Sequence, residues 1–386
     1  MSVQPQDSPE GPRSSSSQSS PAMLREIYEQ PQALRETIQR NADGNKIFPS
    51  AAQSISSAFS GTGKIVIAAS GSSRNAGLAG EIMIEDLAGV AVDVEYSSEY
   101  SLRSSRAAAD SLVFVITQSG ETADTIAAQR EALRHGAKTV AISNVADSTI
   151  AREASATLIT YAAPECAVPA TKSFTAQLAM LYLFGLFLAQ ERGRIHSDFV
   201  QSSLARLARI PGEIERDLSS WDTQTAKAAH FVRDAKAFLY LGRGIHYAIA
   251  REDALKLKEV SYVQAEGMPA GELHHGPSAL VDEKLVVVAL AARDAADYDS
   301  TLRFQKTLGI LEYVRGCGGR VIAIATEGDG EVLQVADQVI FVPPAPELLL
   351  PILEVVPLQL FAYHFATMNG CDVDHPRHLV KAVVRE

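Results

Sequence analysis

The stretch Lys64–Gly89, KIVIAASGSSRNAGLAGEIMIEDLAG, decides the fold. It opens with an apolar, β-rich run, passes through a turn of serine and glycine, and continues with helical spacing until a glycine. These are the signals of a strand, a helix-starting turn and an amphipathic helix. The same order follows at once in SLVFVIT, QSGETADT and IAAQREALRHG, with another strand in AKTVAIS. Alternating strands and helices predict an α/β fold, a doubly wound parallel sheet that binds ligands at the carboxyl ends of its strands.

The same pattern returns in the second half of the chain. Residues 237–257 can be laid without a gap over the first strand and helix. Gly242 then falls opposite Gly71, and Glu252 falls opposite Glu81. The runs LVVVALAARD and GGRVIAIAT match the later strands of the first half. Repetition of one layout at one offset predicts two domains of the same fold.

The chain therefore divides into parts of different character. The Pro/Ser-rich start has too few apolar residues to fold, whereas MLREIYEQPQALRETIQR has helical spacing interrupted at Pro31. We predict a disordered tail (1–22), an N-terminal helical segment (23–50), a first domain (51–190), a helical linker (191–229), a second domain (230–369) and a C-terminal tail (370–386).

Composition limits the classes of function. The 386 residues suit two domains, and hydrophobic residues at 46% indicate aliphatic cores. A net charge of −11 disfavours nucleic acid and anionic membrane as partners. A small anion such as a phosphate ester remains a good candidate, because helix N-termini bind anions whatever the global charge.

The cysteines and apolar runs favour a cytoplasmic protein. Cys166, Cys317 and Cys371 lie far apart, with no CxxC pair, so we expect neither a disulfide framework nor a zinc site. No signal peptide is visible at the N-terminus. The longest apolar run, 174–189, is interrupted by Gln177 and is short for a membrane span, so we predict a buried helix.

Two turns rich in hydroxyl groups follow neighbouring strands. They are Ser70–Ser73 and Thr117–Thr122. Hydroxyls together with free helix N–H groups can cradle a phosphate, although serine and threonine at one such turn are more often ordinary helix caps. Two turns at adjacent strand ends raise the odds of a binding site. Neither matches GxxxxGK[ST], so nucleotide hydrolysis is unsupported.

Charged residues recur on one face of a predicted helix. Glu252, Lys256 and Glu259 are spaced at i, i+4 and i+7. A carboxylate beside a lysine could serve as a proton-transfer base. Charge patterning alone, however, favours a solvated stripe of ion pairs.

Four histidines and one lysine are the remaining candidates for site residues. GELHHGP places His274 and His275 in a glycine-bounded loop, where acid/base chemistry is a better interpretation than metal binding. His375 and His378 near the C-terminus are likewise too few for a metal site, and we predict no metal or other cofactor. Lys381 could form an imine with a carbonyl if buried, but its spacing alone favours an exposed lysine.

Seven segments carry a further signal, and they occur in this order: MLREIYEQP, TQSGETADT, LGRG, ALKLKEVSYVQAE, AGELHHGP, VPLQLFAYH and DVDHPRHLVKAVVRE. Together they resemble the SIS (sugar isomerase) family, and within it the isomerase half of glutamine–fructose-6-phosphate aminotransferase. The resemblance covers the chain from Met23 onwards. It implies two SIS domains, each a doubly wound parallel sheet flanked by helices.

The resemblance also implies roles at matching positions. Glu259 matches the proton-shuttling carboxylate, His275 the ring-opening histidine and Lys381 the carbonyl-engaging lysine of the tail. In the family the ring-opening histidine reaches a site in the partner subunit, so the resemblance implies a homodimer with sites at the interface. The implied substrate-binding residues are Ser73, Thr117, Gln118, Ser119, Thr122, Val168, Glu252 and Lys256.

Two departures from the family shape the expected activity. The chain before Met23 is a short polar tail, so we expect no amidotransferase half and no glutamine-derived nitrogen. Ala170 replaces a serine of the family's substrate-binding loop, which leaves the preferred sugar open.

The resemblance leads to one expected reaction and several alternatives. We expect deamination of glucosamine 6-phosphate to fructose 6-phosphate and ammonium, as in the SIS-type glucosamine-6-phosphate deaminases. The first alternatives are action on galactosamine 6-phosphate or a fructosamine phosphate, and a synthase without a glutaminase. The last is a regulator that binds phosphosugars without catalysis.

Overall fold

The N-terminal segment precedes both domains. The structure, a computed structural model, describes residues 20–103 and 110–384. Of the predicted tail, residues 1–19 lie outside the described residues. The segment contains two helices, α1 (Ala22–Tyr28) and α2 (Gln30–Asn41), and the hairpin strands β1 (Ala42–Asp43) and β2 (Lys46–Ile47).

This segment differs from the predicted helical stretch in two ways. Pro31 does not interrupt a helix but lies in the first turn of α2, where its missing N–H costs no bond. The break falls two residues earlier, at Glu29, the cap shared by α1 and α2. After α2 the chain forms a hairpin instead of continuing as helix, because Gly44 takes a left-handed φ of 57° at the turn.

The first domain is a five-stranded parallel sheet covered by helices. Its strands are β3 (Lys64–Ala69), β4 (Val92–Tyr96), β5 (Ser111–Ile116), β6 (Lys138–Ser143) and β7 (Ala156–Ile159). Its helices are α3 (Ala52–Phe59), α4 (Gly71–Ala88), α5 (Ser97–Leu102), α6 (Ala123–Arg134), α7 (Thr149–Glu153) and α8 (Lys172–Glu191). The spatial order β4-β3-β5-β6-β7 is that of a doubly wound sheet.

The second domain repeats this topology after two linking helices, α9 (Ser197–Leu207) and α10 (Ile210–Phe231). Its elements are β8 (Ala237–Gly242), α11 (His246–Ser261), β9 (Gln264–Pro269), β10 (Leu285–Ala291), α12 (Tyr298–Gly316), β11 (Arg320–Thr326), β12 (Gln338–Val342) and α13 (Leu350–Met368). The spatial order β9-β8-β10-β11-β12 is the order of the first sheet, element for element. The predicted α/β fold with two like domains is confirmed.

Each sheet buries both of its faces. Along β3, Ile65 and Ile67 join the core under α4 and α8, whereas Val66 and Ala68 join a second core under α6. The first of these cores continues into the other domain through Phe238 of β8, so α4, α8, α11 and α13 form a shared layer between the sheets. Strands buried on both faces require the near-continuous apolar runs seen in the sequence.

The helices of the shared layer approach closely. A Cβ added to Gly80 of α4 would lie 2.8 Å from Cδ2 of Leu181 in α8, so a larger residue there would require the Leu181 side chain to shift. Among the described residues, two helical stretches are long and apolar enough to cross a membrane by length and composition alone: α8, and Glu347–Met368, which is α13 with the short 3-10 helix before it. They are 94% and 83% buried inside the protein, as core helices are. The predicted buried helix at 174–189 is thereby confirmed.

Candidate active site

One cavity of about 270 Å³ opens at the carboxyl ends of β3 and β5. Both domains and the C-terminal tail contribute to its wall. Its lining residues are Ser70, Gly71, Ser72, Ser73, Ile116, Thr117, Gln118, Ser119, Thr122, Thr125, Val168, Ala170, Lys256, Glu259, Leu379, Val380, Lys381, Ala382 and Val383. This edge of a doubly wound sheet is where such folds bind ligands.

The first hydroxyl-rich turn forms one side of the cavity. Gly71 has a φ of 55°, which lets the chain leave β3 and enter α4 within one residue. Ser73 lies in the first turn of α4, and its Oγ accepts a hydrogen bond of 3.0 Å from Nε2 of Gln177. No side chain caps α4, so its first N–H groups remain available to a ligand.

The second turn forms a neighbouring side. The hydroxyls of Thr117 and Thr122 are 2.8 Å apart, and Oγ of Ser119 accepts a hydrogen bond of 3.1 Å from the backbone N–H of Glu121. The Glu121 carboxylate in turn accepts from the backbone and hydroxyl of Thr149. The turn is therefore fixed before a ligand arrives, with hydroxyls directed to the cavity that Gln118 also lines.

The charged stripe on α11 is buried rather than solvated. The side chains of Lys256 and Glu252 are 1% and 0% exposed, while Glu259 is 22% exposed at the cavity. Nζ of Lys256 donates to Oε2 of Glu259 at 2.6 Å and lies 3.6 Å from Oε1 of Glu252. The solvated alternative is wrong, because α11 packs between α4 and α13 and turns this face inward.

Burial and neighbouring charges shift the pKa values of Lys256 and Glu252 in opposite directions. Burial alone would lower the pKa of Lys256, but the carboxylates of Glu259 and Glu252 raise that pKa above its ordinary value. Burial raises the pKa of Glu252 to about 7, against the attraction of Lys256 and a hydrogen bond from Asn75. The raised pKa favours the charged form of Lys256, whose ammonium holds Glu259 by the 2.6 Å contact.

The C-terminal tail brings Lys381 to the cavity. Its side chain is 25% exposed, and Nζ lies 2.5 Å from Oε2 of Glu165, whose side chain is fully buried. Burial disfavours ionised Glu165, yet the Lys381 ammonium and hydrogen bonds from Ser173 and Thr171 lower its pKa below the ordinary value. An exposed lysine, which spacing alone favoured, is not what the structure shows.

Glu165 was missed by the sequence reasoning. It precedes the CAVPATKSF loop, whose Val168 and Ala170 line the cavity. A single glutamate in an irregular segment carries no periodic signal. Only its pairing with Lys381, 216 residues away, reveals it.

Two predicted residues do not line the cavity. Glu252 lies behind Lys256, where its Oε2 accepts from Nδ2 of Asn75 at 3.0 Å. His275 ends a short 3-10 helix, Ala270–His275, and is exposed outside the cavity of its own chain. Every other predicted site residue lies on the cavity wall. In the described part of the chain, no three His, Cys, Asp or Glu side chains are arranged to hold a metal ion.

Comparisons with known proteins agree with this architecture. A family model described as SIS domain matches residues 58–186 and 231–369. The chain is 42% identical over 366 residues to glutamine–fructose-6-phosphate aminotransferase [isomerizing] of Chlorobaculum tepidum, covering 94% of this chain and 58% of that protein. The chain thus spans well under two thirds of the length of this curated relative.

Solved structures show the same likeness. The C-terminal domain of glucosamine-fructose-6-phosphate aminotransferase from Francisella tularensis superposes with a TM-score of 0.86 at 35% identity, over 94% of this chain and 100% of that one. Glucosamine-6-phosphate deaminase from Thermotoga maritima has a TM-score of 0.69 at 20% identity, over 94% and 99%, which shows a common fold. The chain therefore belongs to the SIS-domain family and is homologous to the isomerase C-terminal half of glutamine–fructose-6-phosphate aminotransferase.

Proposed function

We propose that this chain deaminates glucosamine 6-phosphate to fructose 6-phosphate and ammonium. The observation that carries the proposal is one cavity in which hydroxyl-lined turns, the Glu259 carboxylate and the Lys381 ammonium meet. Homology to proteins named as isomerizing aminotransferases supports an enzyme that acts on phosphosugars. The shared fold of a glucosamine-6-phosphate deaminase is consistent with the finer assignment.

Phosphate binding anchors the substrate. Ser73, Ser119 and Thr122 offer hydroxyls on two turns, and the N-terminus of α4 offers free N–H groups beside them. Neutral donors and a helix dipole suit a dianion in an acidic protein. With the phosphate fixed, the open chain of the sugar reaches along the cavity towards α11 and the tail, which places C1 and C2 near one carboxylate.

Glu259 then moves the proton. Opening of the ring gives an aldehyde at C1 and leaves the amine on C2. Glu259 removes the C2 proton, giving an enolamine, and returns a proton to C1. The resulting imine at C2 adds water and releases ammonia, leaving the ketone of fructose 6-phosphate. Lys256 holds the carboxylate in position, and the Lys381 ammonium stabilises negative charge that develops on oxygen during these steps.

Ring opening needs a further acid or base. His275 has the right chemistry but is exposed outside the cavity of its own chain. We propose that it enters the site of a second copy in a homodimer. The exposure of Glu272, His274 and His275 on the short helix Ala270–His275 supports this arrangement.

Synthesis of the amino sugar is the second candidate. Identity of 42% with an isomerizing aminotransferase favours it, since the same residues can run the proton shift in reverse with ammonia as the nitrogen source. Ala170 lines the cavity in place of the family's serine, so the preference for one sugar epimer is a separate question from the direction of the reaction. Both candidates share Glu259 as the proton carrier, and they differ in the direction of net flux.

An assay of ammonium release tests the proposal. Purified protein is incubated with glucosamine 6-phosphate, galactosamine 6-phosphate or a fructosamine phosphate, with Glu259→Gln as the matched control. We expect equal amounts of ammonium and fructose 6-phosphate from glucosamine 6-phosphate, and none with Glu259→Gln. Release from the other sugars alone would overturn the substrate assignment. Faster formation of glucosamine 6-phosphate from fructose 6-phosphate and ammonium than the reverse reaction, at equal substrate concentrations, would favour the synthase.

A further inference from the structure

Glu165 is the most heavily bonded carboxylate near the cavity. Its oxygens accept hydrogen bonds from the backbone N–H of Thr171 at 2.9 Å, and from the N–H and hydroxyl of Ser173 at 3.1 and 2.7 Å. The ammonium of Lys381 approaches Oε2 at 2.5 Å. A fully buried carboxylate is costly unless charge and hydrogen bonds compensate it, and here both do.

The first part of the tail is held by contacts of Asp374 and Arg377, but residues 379–384 make few contacts with the rest of the described chain. Leu379, Val380 and Val383 are 40%, 63% and 49% exposed, so apolar burial contributes little to docking. One backbone bond, from the N–H of Ala123 to the carbonyl of Val383 at 2.9 Å, fixes the far end. The Lys381–Glu165 pair is the charged contact between Leu379 and Val383, and its Lys381 partner lies on the cavity wall.

The Lys381–Glu165 pair also matters for the balance of charge in the cavity. Lys256 and Lys381 are both ammonium groups on a cavity of about 270 Å³, where like charges repel. Lys256 is balanced by Glu259 and Glu252, and Lys381 is balanced by Glu165. Without Glu165, Lys381 would lose its counterion, and solvation of the ammonium would favour its movement towards solvent.

We propose that Glu165 is the positioning residue of Lys381: its buried carboxylate fixes the ammonium at the cavity wall and holds the tail against the site. The catalytic part of this inference rests on the proposed function, whereas the docking of the tail does not. Glu165 does not touch the substrate, because its side chain is fully buried behind Lys381. It acts through Lys381.

Glu26 supplies a matched control. This buried carboxylate also holds the loop, accepting hydrogen bonds from the backbone N–H groups of Cys166 and Ala167, with no contact to Lys381. Glu26→Gln and Glu165→Gln therefore both weaken the loop, but only Glu165→Gln removes the counterion of Lys381. Both variants keep the size of the side chain.

The test uses amide hydrogen exchange and steady-state kinetics on the full chain. The Ala123 amide reports tail docking, since its partner is the carbonyl of Val383. We expect Glu165→Gln to speed exchange at Ala123 by about 10-fold or more and to lower kcat on the order of 10²-fold, with KM changed little. Lys381→Met should speed the same exchange, and adding Glu165→Gln to it should change nothing further.

Two outcomes would overturn the proposal. One is unchanged exchange at Ala123 in Glu165→Gln. The other is equal exchange and kcat in Glu165→Gln and Glu26→Gln, which would mark Glu165 as a support of the loop alone. If the wild type turns over no amino-sugar phosphate, the proposed function fails, while exchange at Ala123 still decides whether Glu165 docks the tail.

Discussion

The ammonium of Lys256 lies 2.6 Å from Oε2 of Glu259, one turn further along α11. The lysine is buried and the carboxylate reaches the cavity, so the pair connects the interior of the shared helical layer to the site of chemistry. A base held in this way needs no rearrangement before it meets the substrate.

Removal of Lys256 should therefore reduce stability strongly. At pH 8 we expect Lys256→Met to lower the free energy of unfolding by about 3 kcal/mol, because buried Glu252 loses its cation and must either stay charged at high cost or take up a proton. Adding Glu252→Gln should restore part of the loss. Arg130→Met, which breaks the exposed pair with Glu153, is the control and should cost less than about 1 kcal/mol. Equal losses in urea unfolding would contradict this account.

The hydroxyl turns should control substrate affinity. Thr122→Val removes one hydroxyl from the cavity and also the 2.8 Å contact with Thr117. We expect KM for the sugar phosphate to rise about 10-fold, with a smaller change in kcat, because hydrogen bonds to a charged group are lost in ground and transition state alike. Thr157→Val, whose hydroxyl donates to Ala151 away from the cavity, should leave both constants unchanged.

A buried histidine should make stability depend on pH. Burial alone would lower the pKa of His246, but Glu354 at 2.8 Å and Glu347 raise it from 6.5 to about 9. Because folding raises the pKa of His246, protonated His246 stabilises the folded state. This contribution is fully present below about pH 6.5 and is lost as the pH rises through about 9.

The size of that effect can be measured. Unfolding free energies from denaturant curves at pH 6 and pH 10 should differ by about 3 kcal/mol more in the wild type than in His246→Gln. Glu347 does not contribute to this difference. Burial raises its pKa, but His246 and Arg303 lower it to about 2, which is outside the range from pH 6 to pH 10. The same pH dependence in both proteins would refute the assignment to His246.

The proposed placement of His275 in a partner's site predicts complementation. Glu259→Gln and His275→Ala chains should each be inactive alone. In a mixed dimer, one site combines an intact Glu259 with an intact His275, so random mixing should restore about a quarter of wild-type activity. Activity of His275→Ala alone, or no recovery on mixing despite verified dimers, would contradict the arrangement.

The sequence predicted the fold well because its signals are local. The apolar runs at β3 and β8 and the glycines that end them state where strands stop and helices start. Position in the sheet follows from general rules for parallel strands, so Thr117 and Ser119 could be placed at one edge with Ser73. The roles assigned to these residues stay predictions.

Burial was harder to foresee. Charge spacing on α11 favoured a solvated stripe, whereas packing between α4 and α13 buries Lys256 and Glu252. The ion pair of Lys381 with Glu165 joins the tail to a loop in the first domain, and no local pattern connects them. Such long-range pairs depend on how the two domains pack, which periodicity does not report.

The fate of the C2 hydrogen tests the central claim most directly. Glucosamine 6-phosphate deuterated at C2 is followed by NMR with the wild type and with Glu259→Gln, whose binding is checked separately. We predict that the wild type moves the deuterium to C1 or to solvent as ammonium is released, whereas Glu259→Gln binds the sugar and leaves the deuterium on C2. Release of ammonium with the C2 deuterium retained, or equal loss of deuterium in the variant, would contradict Glu259 as the proton carrier.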